Sequence, residues 1–169
     1  MQLRMPKNKK EKLLFTLIVV TITIPCFVTY CMSYENGGIL NINMRQWAIF
    51  ACIEWVLAVL SAEFIGNPLA EKAALRVVDP KKNEQIFVVA AITCATAFIM
   101  CVWMSFLATI LYKGIVPAVM GFGFDAGYFF ATFVPNWLQT VVLNFPFALL
   151  GQLFVIQPLS RTIFRKIVK

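Results

Sequence analysis

The chain has 169 residues, of which 60% are hydrophobic, and this leaves no room for a separate soluble domain beside membrane spans. Its net charge of +7 would favour nucleic-acid binding in a soluble protein, but no soluble fold remains here to present a basic face. Histidine is absent, and we find no metalloprotease, Ser-His-Asp, P-loop or dinucleotide motif. We therefore expect a membrane protein that is not an enzyme and that uses no cofactor and no nucleic acid.

Four apolar runs are each long enough to cross a hydrocarbon core, which takes about 20 helical residues. They are Leu13–Met32, Trp47–Pro68, Ile86–Tyr112 and Trp137–Pro158. The first run exceeds the apolar length of a signal peptide, and no small-x-small cleavage site follows it. We expect it to remain as the first of four transmembrane helices.

The basic residues predict how these spans are oriented. Thirteen of the fifteen Lys and Arg residues form three clusters, before the first span, between the second and third, and after the fourth. The clusters are Arg4, Lys7, Lys9, Lys10 and Lys12; Lys72, Arg76, Lys81 and Lys82; and Arg161, Arg165, Lys166 and Lys169. Because positively charged loops stay inside, both termini and the middle loop are assigned to the cytoplasmic side, against anionic lipid headgroups. The predicted fold class is an all-α membrane protein, an antiparallel bundle of four transmembrane helices with both termini cytoplasmic.

An internal repeat divides this predicted bundle into two halves. At an offset of ninety residues the matching pairs are Trp47 and Trp137, Pro68 and Pro158, Glu54 and Asn144, Ala58 and Ala148, and Ser61 and Gly151. The first helices of the two halves match more loosely, at an offset of about seventy-three. We predict two related hairpins, residues 1–78 and 79–169, which enter the membrane from the same side. Coincidence between two hairpins of similar composition is the alternative.

The second hairpin has the longer outer loop, predicted over residues 114–135. This segment contains four glycines, two prolines, many aromatic residues and one charge, Asp125. A loop in water would be more polar, so we expect this one to lie in the outer interface or to dip back toward the bundle. Backbone at membrane depth must then be shielded by protein.

Three stretches carry a family resemblance: PKNKKEKLLFTLI, ALRVVDPKKN and NWLQTVVLNFPFALLGQLFVIQPLSRTIFR. They resemble a family of small bacterial membrane proteins catalogued as domain of unknown function 2798, often with two copies in one chain. The resemblance covers most of the chain except Gly114–Phe133. It implies a duplicated two-span unit in a bacterial cytoplasmic membrane, and it implies no activity and no catalytic or binding residues.

Glu54 is the main candidate for a functional site, because ionisable residues inside membrane spans are costly and usually functional. At 1.5 Å per residue it lies about 12 Å below the outer end of the second span, near the middle of the bilayer. Its helix face also carries Ser61, and the equivalent face of the fourth span carries Thr140 and Asn144. We predict that these faces meet in a substrate or proton site, with Glu54 hydrogen-bonded to Asn144. The alternative is a neutral carboxyl–amide pair that only holds two helices together.

A second polar group is predicted nearer the cytoplasm. Glu63 and Asn67 lie near the inner end of the second span, and Gln152 and Gln157 occupy similar depth in the fourth. Together they predict an inner polar vestibule, and pairing of a hydrated Glu63 with a basic side chain is the alternative. Nine residues turn a helix by about 180°, so Glu54 and Glu63 point in opposite directions and cannot form one acidic pair.

The cysteines of the chain lie within or at the ends of the predicted spans. They are Cys26, Cys31, Cys52, Cys94 and Cys101. No C-x-x-C motif occurs, so a disulfide framework is not expected. Cys94, Cys101 and Met104 share a helix face that would suit a soft metal ion. We expect instead that these residues serve in helix packing, with no bound metal.

Two functional classes remain for such a protein. The first is a small proton-linked transporter or exporter, dimeric because four helices enclose little space, with Glu54 as its proton site and Asn144 as the partner. The second is a non-catalytic scaffold or accessory subunit, in which the buried polar residues only specify helix packing. Of the two, we favour transport.

Overall fold

The computed structural model describes residues 8–79, 85–115 and 125–168, and within these ranges the chain is helical with no strand. Six α-helices form within the described ranges, and we number them in chain order. They are α1 (Lys9–Glu35), α2 (Met44–Ser61), α3 (Asn67–Val77), α4 (Gln85–Ile110), α5 (Ala126–Leu150) and α6 (Gln157–Ile167). Stretches of π-helix join α2 to α3 and α5 to α6 and extend α4; they are Ala62–Gly66, Gly151–Ile156 and Leu111–Ile115.

In the part of the chain that the structure describes, these elements form four continuous helices that are long and apolar enough to cross a membrane, as the sequence predicted. We call them the first to fourth spans: Lys9–Tyr34, Met44–Val77, Ile86–Ile115 and Ala126–Ile167. Between 11% and 22% of the most apolar stretch of each is buried inside the protein. Most of the apolar surface is therefore left to face lipid, where helices satisfy their own backbone groups.

Hydrogen bonds and ring contacts fix the direction of the neighbouring helices. The indole Nε1 of Trp47 donates to Thr29 Oγ1 at 2.9 Å, and the amide of Asn67 donates to Thr16 Oγ1 at 3.1 Å. Residue numbers rise along the second span as they fall along the first, so these two spans are antiparallel. In the third and fourth spans, Trp137 Nε1 donates to the backbone oxygen of Val102, and Phe98 packs edge-on against Phe145. That pair of spans is antiparallel as well.

Hydrogen bonds and a ring stack also join the two hairpins to each other. Trp103 Nε1 donates to Ser61 Oγ at 3.0 Å, between the third and second spans. Tyr30 donates its hydroxyl to the backbone oxygen of Leu143 and stacks on Phe147, with ring centroids 4.3 Å apart. Each hairpin thus packs its second helix against the first helix of the other hairpin.

Two glycines reverse the chain between the first and second spans. Gly37 and Gly38 have φ values of 70° and 151°, in the region that a residue with a Cβ rarely adopts. The second span then begins at an asparagine cap, because the side chain of Asn43 accepts a hydrogen bond from Arg45 N at 3.0 Å. This turn brings Trp47 back onto the first span.

The π-helical stretches in the second and fourth spans each precede a proline. Pro68 and Pro158 lie at the second position of α3 and α6, directly after the π-helix. In a regular α-helix a proline ring meets the carbonyl four residues earlier, and that carbonyl lies within the π-helical stretch in both spans. The π geometry keeps the helix continuous through the proline and carries the basic tails onward to Val77 and Ile167.

The predicted outer loop, residues 114–135, is partly wrong. Residues 116–124 lie outside the described ranges, but Ala126 already begins α5, so the fourth span starts well before Trp137. Asp125 caps the N-terminus of α5, because its carboxylate accepts hydrogen bonds from the backbone nitrogens of Gly127 and Tyr128 at 2.8 and 3.3 Å. The glycines and Pro135 suggested a loop, whereas the acidic N-cap and the aromatic residues after it form a helix.

Described members of the three basic clusters lie at one end of the molecule. Lys12 of the first span forms an ion pair with Glu71 of α3, with 2.7 Å between Nζ and Oε1. Close to it, the rings of Phe15 and Phe164 meet edge-on at 5.6 Å, which brings the start of the first span against α6. The Lys and Arg side chains of α3 and α6 therefore share an end with those of α1.

Gly66 gives a test of how closely the two hairpins pack. A Cβ at Gly66 would lie 2.5 Å from the sulfur of Met100 in the third span, whereas a Cβ at Gly151 meets only Ile156 Cδ1 at 3.7 Å. We expect Gly66→Ala to lower the free energy of unfolding by about 1 kcal/mol through overpacking, and Gly151→Ala to raise it by up to about 1 kcal/mol through helix propensity. Unfolding in detergent, followed by cysteine accessibility, measures both.

The double variant Gly66→Ala with Met100→Ala is the control. Since it removes the atom that the new methyl group meets, the cost of Gly66→Ala should shrink when it is measured in the Met100→Ala background. An equal gain in stability from alanine at both glycines would contradict this packing.

Candidate functional site

A cavity of about 520 Å³ lies between the four spans. Its volume falls within the range of about 300–1,000 Å³ that is usual for small-molecule sites. Six of the eight residues predicted to form a polar site line it: Glu54, Asn67, Thr140, Asn144, Gln152 and Gln157. The other two, Ser61 and Glu63, do not line it. The sequence therefore identified most of the amide and carboxyl groups of the cavity.

Glu54 and Tyr112 form a short polar contact between the two hairpins. The Tyr112 hydroxyl donates to Glu54 Oε1 at 2.6 Å, the length of a charge-assisted hydrogen bond. The Tyr112 ring also packs against Phe50, with centroids 4.8 Å apart and planes at 64°. Phe50 and Glu54 are one helical turn apart, so both side chains project from the same face of the second span. All three line the cavity.

Asn144 has a different partner from the one predicted. Its side chain is buried, and its Oδ1 accepts from the Cys31 thiol at 3.7 Å between sulfur and oxygen. Among the described residues, the structure thus pairs Glu54 with Tyr112 of the third span and Asn144 with Cys31 of the first. The reason is that Glu54 of the second span faces the third span, whereas Asn144 of the fourth span faces the first.

Ser61 and Thr140 have local roles in the structure. Ser61 is buried, and its hydroxyl accepts from Trp103 Nε1 at 3.0 Å, which ties the second span to the third. The Thr140 hydroxyl donates to the backbone oxygen of Asn136 on its own helix at 2.8 Å. Thr140 lines the cavity, whereas Ser61 supports the wall behind it.

The predicted inner vestibule is built largely around two threonines of the first span. Asn67 donates to Thr16 Oγ1 at 3.1 Å, and Gln152 donates to Thr23 Oγ1 at 3.2 Å. Thr16 and Thr23 are seven residues apart and therefore share one helix face. Sequence reasoning missed both, although this spacing of hydroxyls along an apolar helix was a usable signal.

Glu63 and Gln157 are the other two residues that were predicted to form the inner vestibule. Glu63 accepts from Asn67 Nδ2 at 3.4 Å but lies outside the cavity lining. Gln157 lines the cavity, and within the described ranges its buried Oε1 has no hydrogen-bond partner. A buried acceptor of this kind costs free energy unless water or a ligand donates to it.

Charged residues that the sequence analysis did not assign to a site lie at the end of the cavity where α1, α3 and α6 meet. Lys12, Glu71 and Arg161 all line it. The side chains of the Lys12–Glu71 pair are about half exposed, at 51% and 46%. An ion pair this exposed contributes only about 0–1 kcal/mol, so it marks the rim of the cavity more than it stabilises the fold.

Hydroxyl groups from the third span line the cavity on another side. Ser105 is almost fully buried, one helical turn after Cys101. One turn further on, the Thr109 hydroxyl donates to the backbone oxygen of Ser105 at 2.8 Å. Neither residue was predicted, because isolated hydroxyls in an apolar run are as typical of helix packing as of a site.

The cysteines do not form a common site. Cys94 is exposed and Cys101 is buried, with the Cys101 thiol directed to the backbone oxygen of Val141. Within the described ranges, no group of three or more Cys, Asp or Glu side chains is arranged to hold a metal ion.

Four long apolar helices around a cavity with polar groups define a helical protein built to span a membrane. The chain belongs to the family described as domain of unknown function (DUF2798), which matches residues 81–168. It is similar to the uncharacterized protein YybC of Bacillus subtilis (strain 168), with 28% identity over 169 residues, covering 98% of this chain and 96% of that protein. No solved structure matches the chain.

Substitution of two tyrosines tests whether the Glu54 carboxyl is ionised in its contact with Tyr112. Tyr112→Phe removes a donor to a carboxylate, and we expect it to lower the free energy of unfolding by about 1.5–3 kcal/mol at pH 8. Tyr30→Phe is the matched control, because its hydroxyl donates to a neutral backbone oxygen at 3.2 Å, and the expected loss is about 0.5–1.5 kcal/mol. Denaturant titration of both variants in the same detergent gives the comparison. Equal losses would mean that the Glu54 carboxyl is neutral.

Proposed function

We propose that the protein is a small solute carrier of a bacterial cytoplasmic membrane, in which Glu54 couples solute movement to a proton. The observation that carries this proposal is the placement of an ionisable carboxyl on the wall of a cavity of about 520 Å³ between the spans. Ionisable groups inside membrane spans are costly, and they usually mark substrate or proton pathways.

The contact with Tyr112 suits a carboxyl that exchanges protons. A hydroxyl both donates and accepts, so Tyr112 can hydrogen-bond Glu54 in its ionised form and in its protonated form. The 2.6 Å contact joins the two hairpins. Loading and release of one proton would therefore change an interaction at the boundary between two parts of the molecule.

The carrier is proposed to consist of two related hairpins, residues 1–78 and 79–169. Trp47 and Trp137 are ninety residues apart, and their indole partners Thr29 and Val102 are seventy-three apart. These are the two offsets at which the sequence repeats. The family match, residues 81–168, also coincides with the second hairpin.

The π-helical stretches are proposed as the points where the second and fourth spans bend during transport. They end at Gly66 and Ile156, again ninety residues apart, and each is followed by a residue–proline pair. π-Helical turns are frequent at functional sites, and domain motions use a few element-terminal residues as hinges. Matching hinges in matching helices would let the hairpins rock around the cavity.

The proposal does not require a second copy of the chain. A homodimer was expected because four helices were thought to enclose too little space for a solute. The cavity within one chain removes that reason. A single chain is therefore proposed as the carrier unit.

A non-catalytic scaffold is the alternative, and one observation favours it. Several polar side chains at the helix contacts satisfy one another, as in the bonds of Gln152 to Thr23 and Trp103 to Ser61. Such bonds hold membrane helices together without any transport role.

Proton movement separates the two functions. In vesicles loaded with a pH-sensitive dye and containing the purified protein, we expect one or more members of a panel of organic cations, amino acids and organic acids to drive a change of internal pH. Glu54→Gln should reduce the change to that of empty vesicles, because glutamine keeps the size and hydrogen bonding of the side chain but carries no exchangeable proton. Glu63→Gln makes the same chemical change outside the cavity and should leave the signal intact.

If no solute of the panel changes the internal pH while the protein is folded and inserted, the carrier is contradicted and the scaffold is supported. A signal that persists in Glu54→Gln would remove Glu54 from the coupling step.

Labelling from one side of the membrane tests the proposed orientation. In a background without the native cysteines, Arg45→Cys and Lys113→Cys should react with an impermeant maleimide in intact cells, because they lie at the outer ends of the spans. Lys72→Cys and Lys166→Cys should react only after permeabilisation. The reverse pattern would place both termini outside.

A further inference from the structure

We infer that the cavity takes an organic monocation, whose charged head is held by the carboxylate of Glu54 and the rings of Phe50 and Tyr112. This names the substrate class of the proposed carrier and therefore rests on the proposed function. A carboxylate beside two aromatic rings matches an ammonium or phosphonium group better than it matches an anion or a neutral sugar.

The geometry of this subsite comes from the contact between the second and third spans. Phe50 and Glu54 project from one helix face, and Tyr112 reaches across to touch both, at 2.6 Å to the carboxylate and 4.8 Å between ring centroids. The two rings stand at 64° to each other. The two rings make adjacent walls of the cavity beside the carboxylate, and all three side chains line the cavity.

Within the described ranges two carboxylates line the cavity, Glu54 and Glu71, and Glu54 is the one that lies beside the aromatic rings. Lys12 and Glu71 neutralise each other at the rim. Lys113 also lines the cavity, and its exposed ammonium group donates to Asn136 Oδ1 at 3.1 Å. Arg161 lies on α6, which packs against the start of the first span. In the low-dielectric interior a carboxylate attracts a cation much more strongly than it does in water.

The remainder of the cavity fits the body of an amphiphilic cation. Apolar side chains such as Ile24, Leu57 and Met104 line it. The buried hydroxyl of Ser105 adds a polar group on the third span. An apolar body with one charged end satisfies the apolar walls and the carboxylate together.

Equilibrium dialysis of purified protein in detergent tests the subsite directly. Tetraphenylphosphonium is the probe, and tetraphenylborate, which has nearly the same shape and the opposite charge, is the control. We expect the cation to bind saturably and about tenfold or more tightly than the anion, a difference of about 1.4 kcal/mol or more. Size-exclusion chromatography and circular dichroism establish that each variant is folded.

Two substitutions locate the binding. Glu54→Gln should weaken tetraphenylphosphonium binding by about tenfold or more, because it removes the charge, whereas Glu63→Gln should not change it. Phe50→Leu should weaken binding by about threefold through loss of a ring that faces the cation. Its matched control is Phe145→Leu, which removes a ring packed on Phe98 outside the cavity lining. If Glu54→Gln does not fold, Phe50→Leu and its control carry the test.

The outcomes distinguish this inference from the proposed function. Binding that depends on Glu54 and Phe50, without proton movement in vesicles, keeps the cation subsite and overturns proton coupling. Proton movement that depends on Glu54 but is driven only by neutral or anionic solutes overturns the cation subsite and keeps the carrier. Tetraphenylphosphonium binding that is the same in all four variants would mean partition into detergent, and it would overturn the subsite.

Discussion

Threonines of the first span provide the polar contacts on which much of the structure depends. A polar group in hydrocarbon has no water to bind, so its partner must come from the protein. The hydroxyls of Thr16, Thr23 and Thr29 each donate to the backbone oxygen four residues earlier on their own helix. Each hydroxyl oxygen then accepts from another span: from Asn67, Gln152 and Trp47. The first span is thereby tied to both the second and the fourth, which lie on either side of it, and the cavity forms where these contacts hold the helices beside one another.

Pro68 and Pro158 have the same effect on the second and fourth spans. A regular α-helix would bring the ring of Pro68 or Pro158 against a carbonyl of the preceding turn. Widening that turn into π-helix avoids the clash without ending the helix. The amphipathic tails that follow then pack back onto the molecule, with Ala70 and Ser160, ninety residues apart, both fully buried. A helix that continues through its proline places basic residues at the end of the cavity, which two separate helices joined by a loop would not do.

The sequence predicted the four spans because length and hydropathy determine them, whatever the packing. It did not predict the start of the fourth span, because Pro135 and Gly127 are common in loops and the capping role of Asp125 depends on local geometry. Six polar residues of the cavity were found by their chemistry. Their partners were not, because a partner depends on how helices rotate against each other. Glu54 was assigned to Asn144 on the strength of the repeat, whereas Tyr112 was considered only as the last residue of the third apolar run. Thr16, Thr23 and Ser105 were missed since a hydroxyl in an apolar helix carries little signal by itself.

The proposed carrier has an ionisable carboxyl at Glu54 and a neutral amide at Asn144, ninety residues later. A carrier with a single carboxyl at its centre holds either one proton or one monovalent cation at a time, so each cycle exchanges equal charge. Membrane voltage then does no work on the exchange, and the whole driving force is the difference in pH. A difference of one pH unit, about 1.4 kcal/mol, would sustain about a tenfold concentration ratio of the cation and no more. A protein of this kind would keep working in cells whose membrane potential has collapsed, provided that the two sides still differ in acidity.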